Sequence, residues 1–195
     1  MKKYILFDTE YTAWKNSLKT NWSKEGQYKE IIQISALKIN NNKIIDNLNL
    51  YVKPVKNPKL SSYIIRLTGI TNNKLKKDGI SFEKAIHLFY NFAKGYKLYS
   101  YGNDYSIIYE NLKIHSIDKK KNTKYFTQSF KNKFYDYIDL IKKYEMKTKT
   151  KINISLYTSG TLYKAFDINM GKKHKIHNSM NDVKSLFEVS KIINE

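Results

Sequence analysis

A chain of 195 residues, 41% of them hydrophobic, is long and apolar enough to build one domain around a sizeable core. It contains no cysteine, which excludes a disulfide framework and any thiolate metal site, so a bound metal must use oxygen or imidazole ligands. Lysine plus arginine number 36 against 17 acids, a net charge of +19, and such a balance favours a polyanionic partner: nucleic acid, an anionic membrane or an acidic protein.

The first segment, MKKYILF, begins like a secretory signal, but Asp8 and Glu10 cut the apolar run far short of the length one needs. No other run approaches membrane-spanning length, and a cytosolic (cytoplasmic) protein is expected. YILFDTE, residues 4–10, reads as a buried strand that ends in two carboxylates. Side chains alternate along a strand, so Asp8 and Glu10 share one face and Thr9 takes the other. In low dielectric two such acids repel and take up protons unless a cation, usually a metal, keeps them ionised. A frayed strand end with solvated acids is the alternative for an isolated DxE.

After a polar stretch, 11–29, that carries Trp14 and Trp22, the segments EIIQISALKI (30–39) and KIIDNLNLYV (43–52) flank Asn40, Asn41 and Asn42. They read as a hairpin, so the chain opens with a three-stranded meander. SFEKAIHLFYNFAKG has helical spacing, with Ser81 as N-cap and Gly95 as stop. A short strand, 97–101, runs into Gly102 and Asn103, and a second helix opens with a third acid, Asp104. The region 115–135 is basic and carries Tyr125, Phe126, Phe130 and Phe134; it is either a nucleic-acid-facing loop or a solvated charge run whose aromatics pack on the domain. Residues 137–146 and 155–166 read as helices, the second weakened by Gly160. No internal repeat or linker is visible. In HNSMNDVKSLFEVSKII, a helix from Asn178 or Ser179 puts Asp182, Leu186, Val189 and Ile193 on one face, so an acid heads a buried stripe, a place a charge seldom takes unless paired or metal-bound. His177 falls on the loop before it and can lean toward the same pocket. His87, His115 and His174 read as ordinary surface or core imidazoles.

FDTE near the amino terminus, the acid of YGND and HNSMND near the carboxyl terminus resemble the three motifs of the DnaQ-like DEDDh 3′-to-5′ exonucleases of the ribonuclease H-like superfamily. EIIQISA (30–36) resembles the second strand of that family, and RLTGIT (66–71) its nucleotide-contacting turn. The resemblance runs from Ile5 to about Ile192. Ala13 stands where many members have glycine in DxExTG, and Ser179 where many have alanine; neither removes a ligand. The form of YGND and the 11–29 insert are closest to the ERI/KapD-like branch.

The resemblance implies an α/β protein with a mixed five-stranded sheet flanked by helices, a single exonuclease domain over residues 1–195. It implies that Asp8, Glu10, Asp104 and Asp182 hold two Mg²⁺ or Mn²⁺ ions, with Asp8 bridging, Glu10 and Asp182 on the first and Asp104 on the second, and that His177 is the general base. The implied substrate is single-stranded RNA or DNA with a free 3′ end, released as nucleoside 5′-monophosphates. Thr12, Thr68, Gly69 and Ile70 would frame the terminal nucleotide, and Tyr11, Trp14 and Tyr105 are candidates to stack on bases, with simple packing as the alternative for each of the three. Two other readings stand beside this one: a catalytically idle nucleic-acid-binding module of the same fold, and a ribonuclease H-like endonuclease.

Overall fold

The computed structural model describes residues 3–117, 128–172 and 174–194. Strand β1 (Lys3–Tyr11) is followed by a single-turn helix, α1 (Ser17–Thr20), and then by β2 (Ile31–Asn40) and β3 (Lys43–Tyr51). These three strands form the expected antiparallel meander, with Phe7 opposite Ala36 and Ala36 opposite Leu48. Asn41 and Asn42 form the β2–β3 turn with φ of 47° and 57°, the left-handed pair that a two-residue hairpin needs and that asparagine tolerates.

Helices α2 (Ser62–Thr68), α3 (Asn72–Asp78) and α4 (Phe82–Phe92) follow, and the side chains of Ser61, Thr71 and Ser81 cap their first turns. Strand β4 (Lys97–Ser100), helix α5 (Asp104–Ile114), a short α6 (Gln128–Lys131), strand β5 (Phe134–Asp136), α7 (Tyr137–Thr148) and α8 (Ser179–Ile193) complete the order. The five strands lie in the order β3-β2-β1-β4-β5, with β4 parallel to β1 and β5 parallel to β4. Residues 118–127, including Tyr125 and Phe126, lie outside the described residues. Phe130 and Phe134 pack inward, 5.1 Å apart, on the core that contains Phe7.

The segment 155–166 departs from the single helix that its composition predicts. It forms two 3₁₀ turns, Ile154–Leu156 and Leu162–Phe166. Between them Thr158 N–H donates to the Thr161 hydroxyl at 2.8 Å and Thr161 N–H to the Thr158 carbonyl at 3.0 Å. Threonine side chains that bond locally compete with the helical ladder, and here they win.

The alternation of β1 decides what each face of the sheet carries. Ile5 and Phe7 join the cluster under α4 and α5, whereas Tyr4 and Leu6 join the cluster under α7 and α8. By the same period Asp8 and Glu10 face α8 and Thr9 faces α5. On α8, Leu186 and Val189 are buried and Ile193 packs beside them, so the apolar stripe presses the first turn of that helix, with Asp182 on it, against the acid end of β1. Among the described residues no helix is long and apolar enough to cross a membrane.

Candidate active site

Where β1 ends, oxygens of Asp8, Glu10 and Asp182 lie within 4.8 Å of one another, and all three residues are buried. The backbone N–H groups of His177 and Asn178 at the start of α8 favour the ionised form of Asp182, yet its Oδ1 has no hydrogen-bond partner. Among the described residues none of the acids is ion-paired with a lysine or arginine. Asp104, at the head of α5, does not join the trio. Thr9, from the opposite face of β1, holds its Oδ1 through backbone N–H (3.0 Å) and hydroxyl.

The electrostatics follow from this crowding. Burial pushes the Asp8 carboxyl well above its ordinary range, and the charges of Asp104, Glu10 and Asp182 add to the shift. Burial, then Asp182 and Asp104, push Glu10 up to about 8. Burial takes Asp182 to about 7 and Asp104 to about 6, although backbone N–H groups oppose the first shift and Thr9 the second. Four buried acids with no basic partner among the described residues and an orphaned carboxylate oxygen are a donor set for hard divalent cations, which prefer carboxylate oxygen and supply the missing positive charge.

This arrangement fixes a pH dependence for the metal-free protein. Carboxyls that titrate near 4 in the unfolded chain and near 6 to 8 in the folded one bind more protons when folded, so their contribution to stability is complete at low pH and is lost as pH rises through 6 to 8. In EDTA the melting temperature is therefore expected to fall between pH 6 and 8.5, and added Mn²⁺ to raise it more at pH 8.5 than at pH 6. A metal-free melting temperature that rises over this interval would contradict the crowded-carboxylate geometry.

The acids lie in a cleft of about 530 Å³ that His177, Tyr11, Trp14, Leu18, Trp22, Tyr63 and Leu67 also line. His177 is half-buried and sits in the left-handed region, φ 58°, just before the N-cap of α8; burial holds its imidazole below 6.5. The insert 11–29 forms one wall. Trp22 Nε1–H donates to the Thr12 carbonyl at 2.9 Å, its ring lies 5.5 Å from that of Tyr11, and Lys29 Nζ sits 4.9 Å from the Trp22 ring centre. Trp22 is thus an anchor, while Trp14 keeps a partly buried ring on the cleft and Leu18, 83% exposed, stands on its rim.

The structure brings Asp8, Glu10, Asp104, His177 and Asp182 to one cleft together with Tyr11 and Trp14, and places the remaining candidates elsewhere. The Thr12 hydroxyl donates to the Tyr28 carbonyl and accepts from Glu30 N–H, closing the base of the insert. Thr68 bonds to Ile64 and Ile70 within its own turn, Ile70 is buried in a cluster with Leu60 and Leu75, and Gly69 ends α2 at φ 75°. None of the three lines the cleft; the preceding turn, through Tyr63, Ile64 and Leu67, does. Tyr105 packs on Phe134, 4.7 Å away. Other lining residues, Thr158 and Ser159, come from the segment that its composition predicts as helix, and no local signal marks them.

A family model described as an exonuclease, RNase_T, matches residues 5–189. DNA polymerase III PolC-type from Caldanaerobacter subterraneus subsp. tengcongensis is 32% identical over 105 residues, which is 54% of this chain but 7% of that protein. Among solved structures, cell-death related nuclease 4 (CRN-4) superposes with a TM-score of 0.73 at 18% identity, covering 100% of this chain and 64% of that one. The nuclease domain of 3′hExo, a DEDDh family member bound to rAMP, superposes with a TM-score of 0.69 at 18% identity, covering 99% and 92%. At such identities these likenesses establish the shared fold, a mixed five-stranded sheet with flanking helices.

Proposed function

Because the chain belongs to the RNase_T exonuclease family, we propose that it removes nucleotides one at a time from the 3′ end of single-stranded nucleic acid and releases nucleoside 5′-monophosphates. The observation that carries this reading is the convergence of three buried carboxylates, with ligand oxygens within 4.8 Å, on the cleft that His177 lines. In this reading Asp8, Glu10 and Asp182, together with Asp104 steadied by Thr9, would hold the Mg²⁺ or Mn²⁺ ions. When bound, such ions activate a water and offset the charge that develops on the phosphate. His177, kept neutral at pH 7 by its burial, takes the proton of the attacking water. The apolar wall of Trp14, Leu18, Tyr63 and Leu67 receives the splayed terminal bases, and the net charge of +19 draws in the phosphate backbone. The whole chain acts as one exonuclease domain in the cytoplasm, and the insert 11–29 supports its placement in the ERI/KapD-like branch.

End-labelled single-stranded RNA and DNA, incubated with Mg²⁺ or Mn²⁺ and sampled over time, test this reading. A 5′-labelled strand should shorten in single-nucleotide steps. Internal fragments at the earliest times would indicate an endonuclease, and retention of intact strand on the protein an idle binding module. The ribonucleotide bound to 3′hExo makes RNA the first substrate to try.

Trp14 offers a narrower test. Trp14→Ala is expected to weaken single-strand binding by about 1 to 3 kcal/mol, the worth of one stacked base. Its ring lines the cleft while Trp22 carries the anchoring hydrogen bond, so the melting temperature should stay close to that of the unaltered protein. Anisotropy titration and melting on one preparation separate the roles; unchanged affinity in the folded variant would rule out stacking.

A further inference from the structure

The segment between the two 3₁₀ turns reaches into the carboxylate cluster. Ser159 lines the same cleft as Asp8, and its hydroxyl opposes the upward shift of the Asp8 carboxyl. The next residue, Gly160, is buried, and a Cβ placed on it would meet the carboxylate carbon of Asp182 at 2.7 Å and both carboxylate oxygens. Its φ lies outside the left-handed region, so the backbone there is open to any residue; the constraint is space alone. Behind the turn, His174 Nε2–H donates to the Gly160 carbonyl at 2.9 Å, and the His174 ring lies edge-on to Tyr163 at 5.1 Å. Below it, Leu162 is fully buried in the core with Leu186 and Val189. The turn is therefore clamped on two sides, abuts Asp182 through Gly160 and shares the cleft with Asp8 through Ser159.

We propose that Ser159 and Gly160 are positioning residues for the metal ligands: the Ser159 hydroxyl fixes the Asp8 carboxylate, and the missing side chain of Gly160 leaves the Asp182 carboxylate the room to meet it. This inference rests on the proposed metal-dependent nuclease. Hydrogen bonds to ligating carboxylates fix their orientation, and their loss lowers metal affinity by roughly 10- to 100-fold. Gly160 acts by the complementary route, since any β-carbon must displace the Asp182 carboxylate from the position in which it meets Asp8 and Glu10.

Calorimetric titration with Mn²⁺, beside melting in EDTA, tests the assignment without reference to catalysis. Ser159→Ala is expected to raise the Mn²⁺ dissociation constant about tenfold or more, with its melting temperature in EDTA no lower than that of the unaltered chain. Ser159→Thr, which keeps the hydroxyl, should recover most of the affinity. Gly160→Ala should lose more than Ser159→Ala. A Ser159→Ala protein that binds Mn²⁺ as the unaltered chain does overturns the proposal, and so does a Thr variant as weak as the Ala variant. Should Gly160→Ala fail to fold, the two Ser159 variants still decide. If the unaltered chain degrades neither RNA nor DNA while its Mn²⁺ affinity depends on Ser159, the positioning role stands and the exonuclease reading falls. Full exonuclease activity with Ser159-independent Mn²⁺ binding means the reverse: the exonuclease stands and the positioning role falls.

Discussion

Asp8→Asn is expected to lower phosphodiester hydrolysis by at least about three orders of magnitude and, in the absence of metal, to raise the melting temperature. The first effect follows from the position of Asp8. It is the acid whose charge is felt together with those of Glu10, Asp104 and Asp182, and its oxygens belong to the trio that can ligate one cation. An amide keeps the shape but loses the charge, so a cation loses its central ligand and the several kcal/mol of charge stabilisation it brings to the reaction, at about 1.4 kcal/mol per tenfold in rate. The second effect has the opposite sign because Asp8 is buried among like charges with no basic partner among the described residues. Its removal relieves repulsion, and the gain should grow with pH, since at low pH the protonated acid and the amide are nearly equivalent. Added Mn²⁺ should raise the melting temperature of the unaltered protein, as any ligand of the folded state does, and leave that of Asp8→Asn nearly unmoved. A variant that keeps a tenth of the activity, or that melts lower at pH 8.5 in EDTA, contradicts the arrangement.

How much of this is legible in the residues depends on the range of the interaction that sets each feature. The period of β1 places Asp8 and Glu10 on one face and Thr9 on the other, and the apolar stripe of α8 places Asp182 at its head; both are local patterns, and burial of each element against the sheet converts them into a site. What Thr9 does with its own face is not legible, because its partner, Asp104, is 95 residues away. The turn at Ser159 and Gly160 reads as helix, since nothing nearby says that Asp182 will occupy the space a side chain needs. Thr68 and Ile70 carry the family-like motif yet face inward, because the Thr68 hydroxyl closes its own turn and Ile70 completes a buried cluster. The three-residue β5 hides in a basic aromatic stretch, and with it goes the reason that Tyr105 packs on Phe134 rather than facing the cleft.

Replacing His177 should separate a proton acceptor from a metal ligand. The imidazole lines the cleft, while it is the backbone N–H of His177, not its ring, that favours the ionised form of Asp182. Removing the ring therefore leaves the Asp182 support in place. His177 stands at φ 58°, where alanine is strained and asparagine is at ease, so His177→Asn isolates the chemistry better than His177→Ala. The asparagine variant is expected to lose on the order of 10² to 10⁴ in rate, the usual worth of general base catalysis, with Mn²⁺ affinity by calorimetry within a few-fold of the original. The pH profile sharpens the test. Burial holds the imidazole below 6.5, so with Mn²⁺ saturating at every pH, which keeps the carboxylates ionised, the unaltered enzyme should lose activity with protonation only below that value, and this limb should vanish in His177→Asn. If the asparagine variant instead lost Mn²⁺ binding as severely as Asp182→Asn, the ring would be a ligand; if it kept the acid limb, the proton acceptor would lie elsewhere in the cleft.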